Sequence, residues 1–132
     1  MDTSTYPDPN QIIPRTAAMA LAEGEIVTYG SLDTTCTRAG ATPATLMGVN
    51  KYTTPSGASA DIAQGGGERV KTGAAITRGD WLTSDSTGRA IPLTLAAAGA
   101  TYVACLGQAM ESTGGADQYV AVKLNIHPVI IA

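Results

Sequence analysis

The stretch GAAITRGDWLTSDSTGRAIPL, residues 73–93, decides the fold. It opens with apolar Ala75 and Ile76, turns a corner at Gly79 and Asp80, and carries the chain's single tryptophan, Trp81. A polar run of Asp85, Ser86, Thr87 and Gly88 follows, and the chain returns through Arg89, Ala90, Ile91, Pro92 and Leu93. Two short apolar runs separated by Asp, Ser and Gly predict a β-hairpin, with Gly88 free to adopt positive φ and Asp85 able to close an Asx turn. Gly79, Asp80, Asp85 and Gly88 read as turn builders. Trp81 reads as a core plug beneath the hairpin, the other reading being an interface anchor.

The composition around this hairpin is weakly charged and poor in large rings. Of 132 residues, 44% are hydrophobic, but there is no Phe and one Trp, against 22 Ala and 18 Thr. A buried Val or Leu contributes roughly 1.5–3 kcal/mol and an Ala much less, so the core is thin for its length. Such a chain gains from burying further surface against a partner or in an oligomer. Charged residues make up 14%, against about 25% in an average domain. The net charge is −3 and the cations are scattered singly, which excludes a nucleic-acid footprint. Met1 to Thr5 lacks the basic and apolar pattern of a secretory signal, and no run of about 18 apolar residues reads as a membrane span. The sequence therefore predicts synthesis in a cytoplasm and no membrane partner.

The rest of the chain reads as short strands at close spacing. Residues 1–14 form an extended arm in which Pro7, Pro9 and Pro14 hold their predecessors extended. Tyr6, Ile12 and Ile13 of this arm read as contacts to a neighbouring subunit, since a loose Ile-Ile pair favours aggregation, the other reading being a disordered terminus. Strands are predicted over residues 15–21, 25–29, 46–50, 68–72, 102–110 and 119–126. In the last, Val120, Val122, Leu124 and Ile126 share one face. Residues 31–45 read as a loop, residues 51–67 as the most irregular part, and residues 94–99 as a helical turn or loop. Past Pro128, the residues Val129, Ile130 and Ile131 form an apolar tail. These patterns predict an all-β fold, a small antiparallel sandwich or barrel-like domain. The arm spans residues 1–14, the β-domain 15–126 and the tail 127–132.

Catalytic and metal chemistry find little support. His127 is the only histidine, sits beside Pro128, and has no nucleophile elbow to serve. Asp80, Asp85 and Asp117 lie in turns where a short acid caps the backbone. Gly65, Gly66 and Gly67 precede Glu68 rather than the Lys-Ser/Thr of a phosphate loop, and read as a turn. Cys36 and Cys105 stand far apart without metal-ligand spacing. They read as buried thiols, with a disulfide between them left open. No enzyme activity, metal or cofactor is predicted.

The chain resembles the small capsid decoration, or cement, proteins of tailed bacteriophages. The resemblance rests on residues 22–30 (AEGEIVTYG), 46–49 (LMGV), 75–82 (AITRGDWL) with the turn at 85–90, 106–111 (LGQAME) and 118–124 (QYVAVKL). It implies a β-rich protein on the outside of an icosahedral head, often a homotrimer, that bridges neighbouring major capsid proteins and resists internal pressure. The arm and tail depart from plainer members. Tyr6, Ile12, Ile13 and Arg15 at one end, with Val129, Ile130 and Ile131 at the other, are the expected protein-interface residues. Two alternatives remain. One is a small oligomeric β-barrel that binds a ligand or hydrolyses a nucleotide between subunits, with the glycine triplet and Asp61 as its only candidates. The other is a β-domain associated with a phage tail or fibre.

Overall fold

The computed structural model describes residues 12–95 and 102–130. The chain is all-β, built from a closed five-stranded barrel and a five-stranded sheet packed against it. The barrel comprises β1 (Ile12–Ala17), β2 (Ile26–Tyr29), β3 (Thr35–Arg38), β4 (Gly48–Asn50) and β5 (Ser59–Ala63), in the order β1-β3-β2-β4-β5. The sheet comprises β6 (Gly66–Lys71), β7 (Trp81–Ser84), β8 (Ala90–Pro92), β9 (Tyr102–Ala109) and β10 (Tyr119–Ile130), in the order β6-β10-β9-β7-β8. A short 3-10 turn, Leu93–Leu95, follows β8.

Most barrel pairs are antiparallel, but β1 and β3 run parallel, with Thr16 opposite Thr35 and Ala17 opposite Cys36. Strand β1 is then closed on its other side by β5, from Ile12 opposite Ala63 to Thr16 opposite Ser59. Residues 31–45 are therefore not all loop, and residues 51–67 are not all irregular. Both hide a strand, β3 and β5, whose Thr, Ala and Ser residues give little hydrophobic alternation. These strands are held by pairing and barrel closure rather than by apolar side chains of their own.

The period of two splits the small apolar residues between two cores. Val27, Cys36, Met47, Ala60 and Ile62, with Ala17 and Leu21, fill the barrel. Ile26, Val49 and Ala63 face outward from the barrel and meet Val70, Leu82, Leu106, Val120 and Val122 of the sheet. The two layers are also stitched by backbone bonds. Ile26 N–H donates to Gly88 C=O at 2.8 Å, Lys71 N–H to Gly24 C=O at 2.9 Å and Ala104 N–H to Pro43 C=O at 2.8 Å. Ser84 Oγ reaches across to Gly40 C=O. Cys36 and Cys105 are buried free thiols, and burial pushes both above the usual thiol range.

Three prolines lie within strands, Pro14, Pro92 on the edge strand β8, and Pro128, which is tolerated because each occupies an edge segment. Pro14 pairs with Asp61, before β3 joins β1 on its other side. Pro128 pairs with Ala104, beyond the point where β6 leaves β10 at Leu124. Strand β1 thus begins at Ile12, inside the stretch read as arm. Strand β10 carries His127, Pro128 and Val129 into the sheet, past a register shift between Leu124 and His127.

Candidate interaction surface

The hairpin of residues 73–93 forms, with Leu82 opposite Pro92, Thr83 opposite Ile91 and Ser84 opposite Ala90. Its turn is built on one carboxylate. Asp85 Oδ1 accepts from the amides of Thr87 and Arg89, each at 2.9 Å, while Arg89 Nε donates to Oδ2 at 3.0 Å. Burial pushes the Asp85 carboxyl up. The amide bonds from Arg89 and Thr87, the Thr87 hydroxyl and the Arg89 charge outweigh this and hold it below the usual carboxylate range. Gly88 closes the turn at φ +75°. At the other corner Asp80 Oδ2 accepts from Thr77 N–H at 2.9 Å.

Trp81 does not plug the core. It is 42% exposed, whereas its neighbour Leu82 is fully buried. Alternation along β7 sends Leu82 inward, so the residue before it must face out. Trp81 instead meets His127 edge-on, with ring centroids 5.6 Å apart. This pairing joins two residues that sequence reasoning kept separate, and places the tryptophan beside the end of β10.

Of the seven large apolar residues exposed among the described residues, strand directions gather four, Ile12, Tyr29, Leu32 and Tyr102, toward one end of the barrel. The start of β1, the end of β2, the β2–β3 turn, the start of β4 and the end of β5 all lie there. At this end Ile12 is 38% exposed, Tyr29 57% and Leu32 66%. The described surface carries several concave regions. The one at this end measures ≈ 340 Å³ and is lined by Tyr29, Thr45, Leu46, Tyr102, His127 and Pro128, among others, with no Asp, Glu, Lys or Arg. Tyr102, at the start of β9, is 50% exposed. Tyr29 and Tyr102 are missed by the sequence reading, since each sits within an ordinary strand pattern. Only the topology brings them to one rim.

Of the residues expected at an interface, Ile12, Ile13 and Arg15 lie on β1, and Val129 and Ile130 on the last two positions of β10. Ile12 is exposed, while Ile13 and Arg15 alternate with it and are partly covered. Arg15 Nη1 donates to Pro14 C=O at 2.8 Å. Tyr6 and Ile131 lie outside the described residues.

A second concave region is ionic. Glu25, Arg38, Lys71, Thr87, Arg89 and Asp117 line a cleft of ≈ 310 Å³ where barrel meets sheet. Arg38 Nε lies 2.8 Å from Glu25 Oε2, and Arg89 Nη1 lies 3.0 Å from Asp117 Oδ1. Glu25 with Arg38 and Arg89 with Asp117 pair across it, while Lys71 enters no ion pair among the described residues, so the cleft reads mainly as a seam. The glycine triplet forms no cradle either. Gly66 and Gly67 belong to β6 and pair with Leu124 and Lys123 of β10, so their backbone groups serve the sheet. Among the described residues, no three His, Cys, Asp or Glu side chains group as metal ligands. No helix among them is long and apolar enough to cross a membrane.

A family model for phage cement protein matches residues 7–124. The chain belongs to the phage cement protein family. That match takes in the hairpin, both cores and all ten strands as far as Leu124 of β10. Among solved structures, the cement protein is similar to the head fiber gp8.5 N base of bacteriophage phi29. The TM-score is 0.67 at 18% identity, over 86% of this chain and 92% of that one. At that identity the likeness shows a shared fold. No curated protein matches the chain in sequence. Family membership makes it a phage structural protein associated with the capsid, and supports a structural rather than a catalytic role.

Proposed function

We propose that this cement protein binds the outside of the icosahedral head, as a homotrimer, and bridges neighbouring copies of the major capsid protein. It would be made in the host bacterial cytoplasm and act there on assembling heads. The observation that carries the reading is the barrel end bearing Ile12, Tyr29, Leu32 and Tyr102. Large exposed apolar side chains gathered around an uncharged groove mark a protein contact surface. Ile12, Ile13, Arg15, Val129 and Ile130 sit at or beside the same end, and Tyr6 and Ile131 adjoin them in sequence. The thin cores favour this reading, because further buried surface would stabilise both the domain and the shell.

A nucleotide-hydrolysing reading is disfavoured, since Gly66 and Gly67 of its triplet pair with β10 as part of β6. Between head and tail, the likeness to a head fiber base favours the head. Co-sedimentation with expanded, undecorated heads tests the proposal. Leu32→Asp and Ile12→Asp should each weaken binding about tenfold or more, equivalent to ~1.4 kcal/mol. Met110→Asp, at the far end of β9, should not. Equal binding by all three variants would remove this end of the barrel from the contact.

A further inference from the structure

We propose that the groove at the barrel end receives the N-terminal segment of a second copy of the chain. Tyr6, Pro7 and Pro9 of one molecule would lie across Tyr29, Tyr102 and Pro128 of the next. This deepens the self-association in the reading above and does not depend on capsid binding.

The groove and the segment match in chemistry. Segments that alternate proline with other residues adopt a stiff, extended polyproline conformation, and they dock on uncharged grooves walled by aromatic rings. The groove is lined by two half-exposed tyrosines, Tyr29 of the barrel and Tyr102 of the sheet, together with Leu46, Ile126 and Pro128. The segment Tyr6, Pro7, Asp8, Pro9 offers one ring and two prolines, and residues 1–14 contain no Lys or Arg. An uncharged floor suits prolines and a tyrosine. The volume, ≈ 340 Å³, admits a few side chains rather than a folded domain.

The topology supplies the reach. Strand β1 begins at Ile12 on the same barrel end as the groove, with eleven residues before it. At about 3.3–3.6 Å per extended residue, these span up to ~40 Å. Pro7, Pro9 and Pro14 bias Tyr6, Asp8 and Ile13 toward extended geometry, which suits a stretched segment that reaches a neighbour's groove. Arm on one side and groove on the other make a head-to-tail contact, which closes into a ring when the rotation between copies fits. A three-membered ring of this kind is the homotrimer of the reading above.

Disulfide trapping between two singly substituted proteins tests the docking without any capsid. Tyr6→Cys places a thiol in the segment, and Ala44→Cys places one on the exposed groove wall. Both native thiols are buried and stay silent. Mixed and oxidised, the two proteins should form a covalent heterodimer in at least tenfold excess over a Tyr6→Cys and Tyr52→Cys mixture, since Tyr52 is exposed at the opposite barrel end. Unchanged circular dichroism and melting of each variant establish that it is folded. Tyr29→Ala with Tyr102→Ala should also weaken self-association about tenfold by sedimentation equilibrium. If the doubly substituted chain forms only an intramolecular link, the segment occupies its own groove and the proposal falls. An oligomer that gives no cross-link overturns the docking while leaving self-association intact, and a clean monomer overturns both.

Discussion

Gly48 and Asp85 show how single residues shape the fold in opposite ways. A Cβ on Gly48 would run into the Ala63 carbonyl of the adjacent barrel strand and crowd an Ile62 methyl. Gly48→Ala should therefore destabilise the chain by about 1–3 kcal/mol in urea unfolding, as overpacking does. Asp85 acts through charge. Its carboxyl titrates lower in the folded chain than in the unfolded one, so its contribution is complete above the unfolded value. That contribution is lost as pH falls through the folded value. Asp85→Asn should melt lower than the parent protein at pH 7, and the two melting temperatures should converge below about pH 4. At Trp81 the sequence signal misleads, because the only large ring in a thin core invites a buried assignment. Its position before the fully buried Leu82 on a period-two strand sends it outward. Trp81→Ala should cost about 1 kcal/mol or less, and Leu82→Ala about 2–5 kcal/mol, in the same unfolding assay.

At the scale of elements, legibility follows the side chains. Strands β9 and β10 and the β7–β8 hairpin are readable because Val, Leu, Ile and clear turn residues mark them. Strands β3 and β5 are not, because Thr, Ser and Ala carry no strong alternation and the strands depend on partners distant in sequence. The arm illustrates the same limit. Pro14 looks like a strand breaker, yet it lies on an edge segment of β1, and Ile12 and Ile13 pair with Ala63 and Ile62. At concentrations low enough for the chain to be monomeric, removal of residues 1–11 should thus leave the melting temperature unchanged, while removal of residues 1–13 should lower it by about 5 °C or more. Equal melting of the two truncations would mean that Ile12 and Ile13 add nothing to barrel closure.

For the whole molecule, the candidate surface is less legible than the fold. Ile12 can be marked from its sequence neighbourhood, but Tyr29, Leu32 and Tyr102 come together only once strand directions are known. The scaffold divides its labour. The hairpin and the two cores hold barrel and sheet together, and the ionic seam at Glu25, Arg38, Arg89 and Asp117 lies along their junction. Ile12, Tyr29, Leu32 and Tyr102 are exposed at one end of the barrel, the surface proposed for partners. Electron cryomicroscopy of expanded heads mixed with the purified protein tests this central claim most directly. The account predicts added density on the outer face of the shell, arranged in threes, with the barrel end carrying Ile12, Leu32 and Tyr102 turned toward the major capsid proteins. Density in which that end points to solvent, or heads that remain bare at saturating protein, would contradict it.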